Sequence, residues 1–223
     1  NKKYEPNEKG ILALMYHRFE ENKYPSTNIK TDAFVSLYSK YSEEIQTKVK
    51  DYHVKNSGIS RYKKIIHYQK EILKQDYSEK IINDLADKFS EIILEKVINS
   101  EYVKGSKEFI QKNHSNYEFH IATGTPQGEI EIIMREKCSE NKFKSIYGTP
   151  LTKTEIIRKI LTENGYKKEN VIFIGDAIAD LEGALNNDLN FIGRVPRGES
   201  SIFPEKTTVI NDLTSLNNLI LTF

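Results

Sequence analysis

The stretch from Val171 to Asp180 reads VIFIGDAIAD and places two carboxylates directly after a short apolar segment. The residues before Gly175 are β-branched or aromatic, which is typical of a strand buried on both faces of a parallel sheet. Asp176 follows this predicted strand, and Asp180 lies near the start of a predicted helix over 178–186. Carboxylates grouped at a strand tip are ligands that Mg²⁺ prefers. The alternative is that Asp176 caps the helix and Asp180 is solvated.

A second turn of the same kind follows a short predicted strand over 118–122. The strand leads into Thr123, Gly124, Thr125 and a proline, and a predicted helix over 128–138 comes next. The hydroxyl of Thr123 and the backbone N–H groups after it can hold a phosphate at the helix N-terminus. A simple capping role for Thr123 or Thr125 is the alternative interpretation.

Lys153 opens a predicted helix over 153–164, which Gly165 closes as a C-terminal cap. A cation at a helix N-terminus opposes the helix dipole, so another interaction must favour a lysine there. Neutralisation of a bound phosphate is one such interaction. Solvent exposure is the alternative, because the chain has 33 basic residues.

The order of elements predicts an α/β protein with a doubly wound parallel sheet. Strands and helices alternate from residue 101 onward, and ligands bind beyond the carboxyl ends of strands in such sheets. Further predicted elements in this part are a helix over 107–114 and strands over 171–174, 190–195 and 207–210. An apolar run over 10–19 predicts a strand, and the polar residues 20–27 predict a loop.

Residues 31–100 show apolar positions at helical spacing and predict a bundle of about four helices. Asn56, Ser57 and Gly58 form a turn signal between two of these helices. The polar residues after this turn, Arg61, Tyr62 and Lys64, either face the core or lie on a solvated helix surface. Solvent exposure is the expectation for these side chains.

Composition narrows the classes of partner and the compartment. The 223 residues carry a formal net charge of +1, so no basic excess favours a nucleic-acid partner. No apolar run approaches the roughly 20 residues of a membrane span. The single cysteine, Cys138, cannot form an internal disulfide. We therefore expect a cytoplasmic protein without nucleic-acid or membrane partners, while its oligomeric state stays open.

The order Thr123, Lys153 and Gly-Asp176-x-x-x-Asp180 resembles the second, third and fourth motifs of the haloacid dehalogenase superfamily. The resemblance covers roughly residues 30–212 and is greatest to the branch of phosphoglycolate phosphatase and β-phosphoglucomutase. It implies a Rossmann-like core with an inserted helical cap. The implied domains are an N-terminal segment over 1–30 that supplies the first core strand, a cap over 31–100 and a core over 101–223.

The same resemblance implies a Mg²⁺-dependent phosphatase of small phosphomonoesters, with sugar phosphates among the candidate substrates. By analogy with the family, the phosphoryl group would bind to Thr123, Gly124 and Lys153. Asp176 would bind Mg²⁺, and Asp180 would support that metal site. The implied partner is a small phosphorylated metabolite.

The family's first motif, Asp-x-Asp-Gly, is absent from the segment before the cap, and no aspartate precedes Asp32 in the chain. Counting back from Ala33 and Phe34 places Arg18 in the position of the family's nucleophilic aspartate. A guanidinium binds phosphate but cannot accept a phosphoryl group as a carboxylate does. Glu20, one methylene longer than aspartate, would take the position of the general acid/base. Whether the chain is an enzyme is therefore uncertain at this point.

Three interpretations stay open. The chain is an active phosphatase that recruits another carboxylate, or a phosphate- or phosphosugar-binding protein without turnover, or a fusion product without function. Residues 10–29 also resemble the opening of NodB-type polysaccharide deacetylases, although the metal ligands of that family do not follow. A junction near Ile29 and Lys30 would explain both resemblances.

Overall fold

The computed structural model describes residues 25–137 and 140–221. The predicted strand over 10–19, the two first-motif positions Arg18 and Glu20, and Cys138 lie outside the described residues. The predicted junction and the predicted domain limits near residues 30 and 100 stay predictions. Within the described residues, no helix is both long enough and apolar enough to cross a lipid bilayer.

The first described half of the chain is helical, as the apolar spacing predicts. The helices are α1 (Pro25–Leu37), α2 (Glu43–Lys55), α3 (Arg61–His67), which continues as a π turn (Tyr68–Ile72), and α4 (Glu79–Ile98). Ser42 caps α2 by accepting the N–H of Ile45 at 3.5 Å. The prediction of a loop over 20–27 is wrong for residues 25–27, which are helical. Proline is tolerated in the first turn of a helix, so Pro25 does not exclude this conformation.

Aromatic packing holds these helices together. Phe34 of α1 lies 4.1 Å from Phe89 of α4 and 5.4 Å from Tyr68, measured between ring centroids. All three rings are fully buried. Burial of side chains of this size is worth roughly 1.5–3 kcal/mol each, so the aromatic cluster is a main source of stability for this half.

The second half alternates strands and helices. Its elements are α5 (Ser106–Asn113), β1 (His120–Pro126), α6 (Gln127–Glu136), a 3₁₀ turn (Glu140–Lys142), β2 (Ser145–Thr149), α7 (Lys153–Asn164), a 3₁₀ turn (Lys168–Asn170), β3 (Ile172–Gly175), α8 (Ile178–Leu185), β4 (Asn190–Arg194), β5 (Val209–Ile210) and α9 (Leu216–Ile220). The predicted helix over 153–164 is confirmed, with Gly165 closing it at φ +64°.

The described strands pair only in parallel, in the groups β1–β2 and β3–β4–β5. Side chains on β3 alternate between two apolar clusters. Phe173 belongs to the cluster that includes residues of α1–α4, α6 and α7, whereas Ile172 and Ile174 belong to the cluster that includes residues of α5 and α9. Helices therefore cover both faces of the sheet, and the predicted doubly wound α/β class is confirmed.

The structure corrects both ends of one predicted strand and adds two elements that the sequence did not predict. The strand predicted over 118–122 begins at His120 and runs to Pro126, so Thr123 lies within it. The strand β2 was not predicted because its five residues, SIYGT, contain no apolar run and most are only partly buried. The short helix α9 also escaped prediction, since five residues give too little periodicity.

Candidate functional site

A pocket lies where β1, the N-terminus of α7 and the turn before α3 meet. Thr123, Gly124 and Lys153 line it from the α/β half of the chain, and Gly58 and Lys63 line it from the helical half. It holds about 260 Å³ of space that the centre of a water molecule can reach. The three residues expected from sequence to bind a phosphoryl group thus share one pocket, although 30 positions separate the first from the last.

Lys153 has a buried ion partner within this site. Its ammonium donates to Oδ1 of Asp180, and both side chains are about 6% exposed. The other oxygen, Oδ2, accepts the backbone N–H groups of Asp176 at 3.1 Å and Ala177 at 3.0 Å. This pairing supplies the interaction that a lysine at a helix N-terminus requires. The expected solvation of Asp180, as the alternative to a functional role, is wrong.

The close fold-back of Asp180 depends on Gly175 at the end of β3. A Cβ at this position would lie 2.3 Å from Cβ of Asp180, which no side chain tolerates. The Gly-Asp-x-x-x-Asp spacing therefore has a packing cause: glycine admits the second carboxylate against the strand tip. Burial raises the pKa of Asp180; the Lys153 ammonium opposes this shift and Asp176 adds to it.

Asp176 and Asp180 are the two residues that the sequence analysis proposed for the metal site. Asp176 is 4% exposed and lies at the strand tip, as expected for a metal ligand. Among the described residues, no group of three or more His, Cys, Asp and Glu side chains is placed to hold a metal ion. Mg²⁺ commonly keeps several waters and binds through one or two carboxylates plus substrate phosphate. Asp176 is a carboxylate of the kind such a site uses, and both oxygens of Asp180 accept hydrogen bonds.

Thr123 is positioned by its own turn. Its Oγ1 accepts the N–H of Thr125 at 3.2 Å and donates to Oγ1 of Thr125 at 3.3 Å. Thr149, at the end of β2, donates to the carbonyl of Gly124 at 3.0 Å. These bonds fix the backbone that carries the candidate phosphate-binding groups.

The turn before α3 lies directly against this pocket. Gly58 has φ +87°, and a Cβ there would lie 2.8 Å from Cβ of Ala177 and 3.2 Å from Nζ of Lys153. A Cβ on Gly124 would in turn lie 2.9 Å from the carbonyl oxygen of Gly58. The turn signal at residues 56–58 is confirmed, but sequence did not show that Gly58 covers the site.

A second buried ion pair joins the helical half of the chain to the α/β half. Arg61 of α3 donates to Oε1 of Glu129 on α6 at 2.5 Å, and Ser90 of α4 donates to Oε2 at 2.7 Å. Arg61 also donates to Ser90 and stacks over Phe89, 4.6 Å from the ring centroid. Sequence reasoning missed Glu129 and Ser90, which no local motif marks.

The expectation of a solvated surface after Gly58 is wrong for two of the three residues named. Arg61 is 5% exposed and Lys64 is 3% exposed, whereas Tyr62 is only partly buried. Nζ of Lys64 lies 3.0 Å from Nδ1 of His53 on α2. Buried charges need such partners: the ion pair with Glu129 compensates the charge of Arg61, and the ammonium of Lys64 contacts the imidazole of His53.

Comparison with known proteins assigns the fold and the family. A family model described as haloacid dehalogenase-like hydrolase matches residues 7–194, a range that includes the segment 10–29. A 5'-nucleotidase of Pseudomonas aeruginosa is 34% identical over 89 residues, which cover 38% of this chain and 39% of that protein. The match thus spans well under two thirds of that relative's length.

Two solved structures share the fold over nearly their whole length. A predicted phosphoglycolate phosphatase from Haemophilus somnus aligns at TM-score 0.72 with 13% identity, covering 96% of this chain and 98% of that one. The hydrolase YfnB of Bacillus subtilis, described as bound to magnesium, aligns at 0.67 with 15% identity, covering 96% and 99%. At these identities the likeness is one of fold.

Proposed function

Because the chain belongs to the haloacid dehalogenase-like hydrolase family, we propose that it is a phosphatase of small phosphomonoesters. The observation that carries this proposal is the pocket in which Thr123, Gly124 and Lys153 meet beneath the cap turn. A hydroxyl, backbone N–H groups and an ammonium are the donors that phosphate oxygens accept. The 5'-nucleotidase relative and the phosphatase of like fold support this substrate class.

Each site residue has a distinct task in this proposal. Thr123 and Gly124 bind the phosphoryl oxygens. Lys153 neutralises their charge while Asp180 holds its ammonium in place. Asp176 holds Mg²⁺ together with waters and the substrate phosphate; when bound, the ion neutralises charge on the phosphoryl group. Residues 31–100 act as a cap and 101–223 as the core, with residues 1–30 supplying the first core strand.

The reacting groups in this proposal come from the N-terminal segment. Glu20 serves as the general acid/base, a role assigned by counting from Ala33 and Phe34. The same count puts Arg18 at the family's nucleophile position, where a guanidinium binds phosphate but cannot accept the phosphoryl group, so turnover requires a carboxylate recruited in its place. We further propose that the protein acts in the cytoplasm on a small phosphorylated metabolite.

A second candidate function is phosphate or phosphosugar binding without turnover. The specific observation in its favour is that no aspartate occurs among residues 1–31, where the family places its nucleophile. An arginine at that position adds a cation to an anion site and removes the group that accepts the phosphoryl. Both candidates share the same phosphate pocket.

Hydrolysis of p-nitrophenyl phosphate and a panel of sugar phosphates, with and without Mg²⁺, separates the two candidates. The phosphatase proposal predicts Mg²⁺-dependent turnover that Asp176→Asn abolishes. The matched gain-of-function variant is Arg18→Asp with Glu20→Asp, which restores both first-motif carboxylates. Turnover only in this double variant would contradict the phosphatase proposal and would show an intact scaffold that is disabled only at its first motif, as the second candidate requires.

A further inference from the structure

The strand β1 has a bulge at the residues proposed to bind the phosphoryl group. Its register with β2 shifts between Ala122 and Pro126. Three residues of β1 lie in this interval, whereas only Gly148 lies opposite them on β2. Extra residues on one strand cannot all take ladder positions, so residues 123–125 bulge out of the regular pairing.

The bulge lies directly against β2. A Cβ on Gly148 would lie 2.3 Å from the carbonyl oxygen of Thr125 and 3.1 Å from the backbone nitrogen of Gln127, so only glycine admits this approach. The hydroxyl of Thr149 donates to the carbonyl of Gly124 at 3.0 Å. One hydrogen bond from β2 therefore ties down the middle of the bulge.

The side chain of Gln127 ties β2 to the far end of the bulge. Its Nε2 donates to the carbonyl of Ile146 at 2.9 Å, and its Oε1 accepts the N–H of Gly148 at 2.7 Å. These two backbone groups flank Tyr147, the last β2 residue that is paired before the register shifts. Nε2 also donates to Oε1 of Glu131 at 2.6 Å, one turn further along α6.

Only an amide satisfies both backbone partners at this position. The Ile146 carbonyl accepts a hydrogen bond and the Gly148 N–H donates one, so the side chain must present a donor and an acceptor together. The ladder pair at Ala122 fixes one end of the bulge, and Gln127 fixes the other on the same segment of β2. A ligand that binds a turn ordered in advance loses less of its binding free energy to ordering that turn.

We propose that Gln127 is a positioning residue that holds residues 123–125 in the conformation that binds the phosphoryl group. This inference rests on the proposed function, because it takes Thr123 and Gly124 as the groups that bind the phosphoryl oxygens. Gln127 is not among the residues that line the phosphate pocket. Its side chain therefore acts on the ligand through the bulge.

Calorimetric titration of inorganic phosphate in the presence of Mg²⁺ tests the role of Gln127. Gln127→Met keeps the length of the side chain and binds neither backbone partner. We expect about tenfold weaker binding of phosphate in this variant, the factor for one lost hydrogen bond to a charged group. Asn113→Leu is the matched control, since the Asn113 amide donates to Phe109 and Asn217 on the far side of the sheet. This control should lower stability and leave the affinity for phosphate unchanged.

Amide hydrogen exchange gives a readout that a uniform loss of stability would not produce. In Gln127→Met, the N–H groups of Gly148 and Thr125 should exchange faster by a larger factor than the N–H of Ile174 in β3. Equal factors at all three positions would show that the substitution loosens the whole fold, which would overturn a specific role of Gln127 at the bulge.

Failure of this inference and failure of the proposed function give different results. If the wild type binds phosphate and Gln127→Met binds it equally well, the inference is overturned and the phosphate pocket stands. If the folded wild type binds no phosphate, the proposed function fails and this inference fails with it. Should Gln127→Met not fold, Gln127→Asn replaces it, since its amide is one methylene too short to keep both bonds. Wild-type affinity in Gln127→Asn would then overturn the inference, and weaker binding would support it.

Discussion

Two buried ion pairs hold the two sides of the candidate site, and they differ in what they join. Lys153 and Asp180 both lie in the α/β half, and two backbone N–H groups donate to the second oxygen of the Asp180 carboxylate. Arg61 and Glu129 instead join helix α3 of the helical half to helix α6 of the α/β half. We call the side of the proposed phosphate pocket lined by Thr123, Gly124 and Lys153 its floor, and the side lined by Gly58 and Lys63 its roof. The ion pair beside the floor lies within the α/β half alone, whereas the ion pair beside the roof joins the two halves of the chain.

The largest expected effect is the loss of stability when Lys153 loses its ion partner. Asp180→Ala leaves the Lys153 ammonium buried without its counter-charge, which should lower the free energy of unfolding by about 3–5 kcal/mol. Urea denaturation at neutral pH measures this change. The double variant Lys153→Met with Asp180→Leu is the matched control, because it removes both charges together. If the double variant is no more stable than Asp180→Ala, the unpaired charge of Lys153 is not the cause of the lost stability.

A buried histidine at the start of β1 gives a reference that involves neither ion pair. His120 contacts Ser145 at 2.7 Å and Tyr166 at 3.0 Å, and burial lowers its pKa from 6.5 to about 4. Between pH 6.5 and pH 4 the unfolded state takes up a proton that the folded state does not, so stability falls as pH falls. The shift corresponds to a loss of about 3 kcal/mol over this window.

Unfolding free energies at several pH values in this window check the histidine. His120→Gln should lose less stability than the wild type as the pH falls, and His114→Gln, at an exposed position on the surface, should behave as the wild type does. Identical pH slopes for wild type and His120→Gln would contradict the assignment of a lowered pKa to His120.

The roof should respond differently from the floor. Glu129→Gln removes a charge-assisted hydrogen bond to Arg61 but keeps an amide in its place. We expect a loss of about 1.5–3 kcal/mol in stability, together with weaker binding of phosphomonoesters as the turn before α3 loosens. Glu131→Gln, exposed on the same helix, should change stability by less than about 0.5 kcal/mol. An unchanged affinity for phosphomonoesters in Glu129→Gln would contradict a role of this ion pair in holding the turn over the pocket.

The smallest expected effect concerns the turn itself. Gly58→Ala and Gly198→Ala both place a side chain at positive φ, +87° and +84°, which costs roughly 1–2 kcal/mol. A Cβ on Gly198 meets nothing within 4 Å, whereas a Cβ on Gly58 meets Ala177 at 2.8 Å. Only Gly58→Ala should therefore also weaken ligand binding. Equal ligand affinities in the two variants would show that the turn does not cover the site.

Sequence predicted the floor of the site better than its roof. Thr123, Lys153 and Asp176 each follow or open an element with a strong local pattern, so their positions near one edge of the sheet could be inferred. The partner of Lys153 could not be inferred in this way, because Asp180 lies 27 residues away. The local sequence around Asp180 also allows a solvated carboxylate.

The contacts beside the roof join residues that are far apart in the sequence, so no local pattern marks them. Arg61 and Glu129 are 68 residues apart and lie on helices whose patterns allow either burial or exposure of a charged side chain. β2 was missed for a related reason, since an edge strand of mixed polarity has no apolar run to mark it. Tertiary packing decides both, and one sequence by itself does not encode that packing in its spacing.

The most direct test of the account is a calorimetric titration of inorganic phosphate into the wild type and into Thr123→Val, in the presence of Mg²⁺. The account predicts binding to the wild type and an affinity lower by at least about tenfold in the variant, the loss for one hydrogen bond to a charged group. Folded wild-type protein that binds no phosphate, or a variant that binds it equally well, would contradict the placement of the phosphoryl group at Thr123.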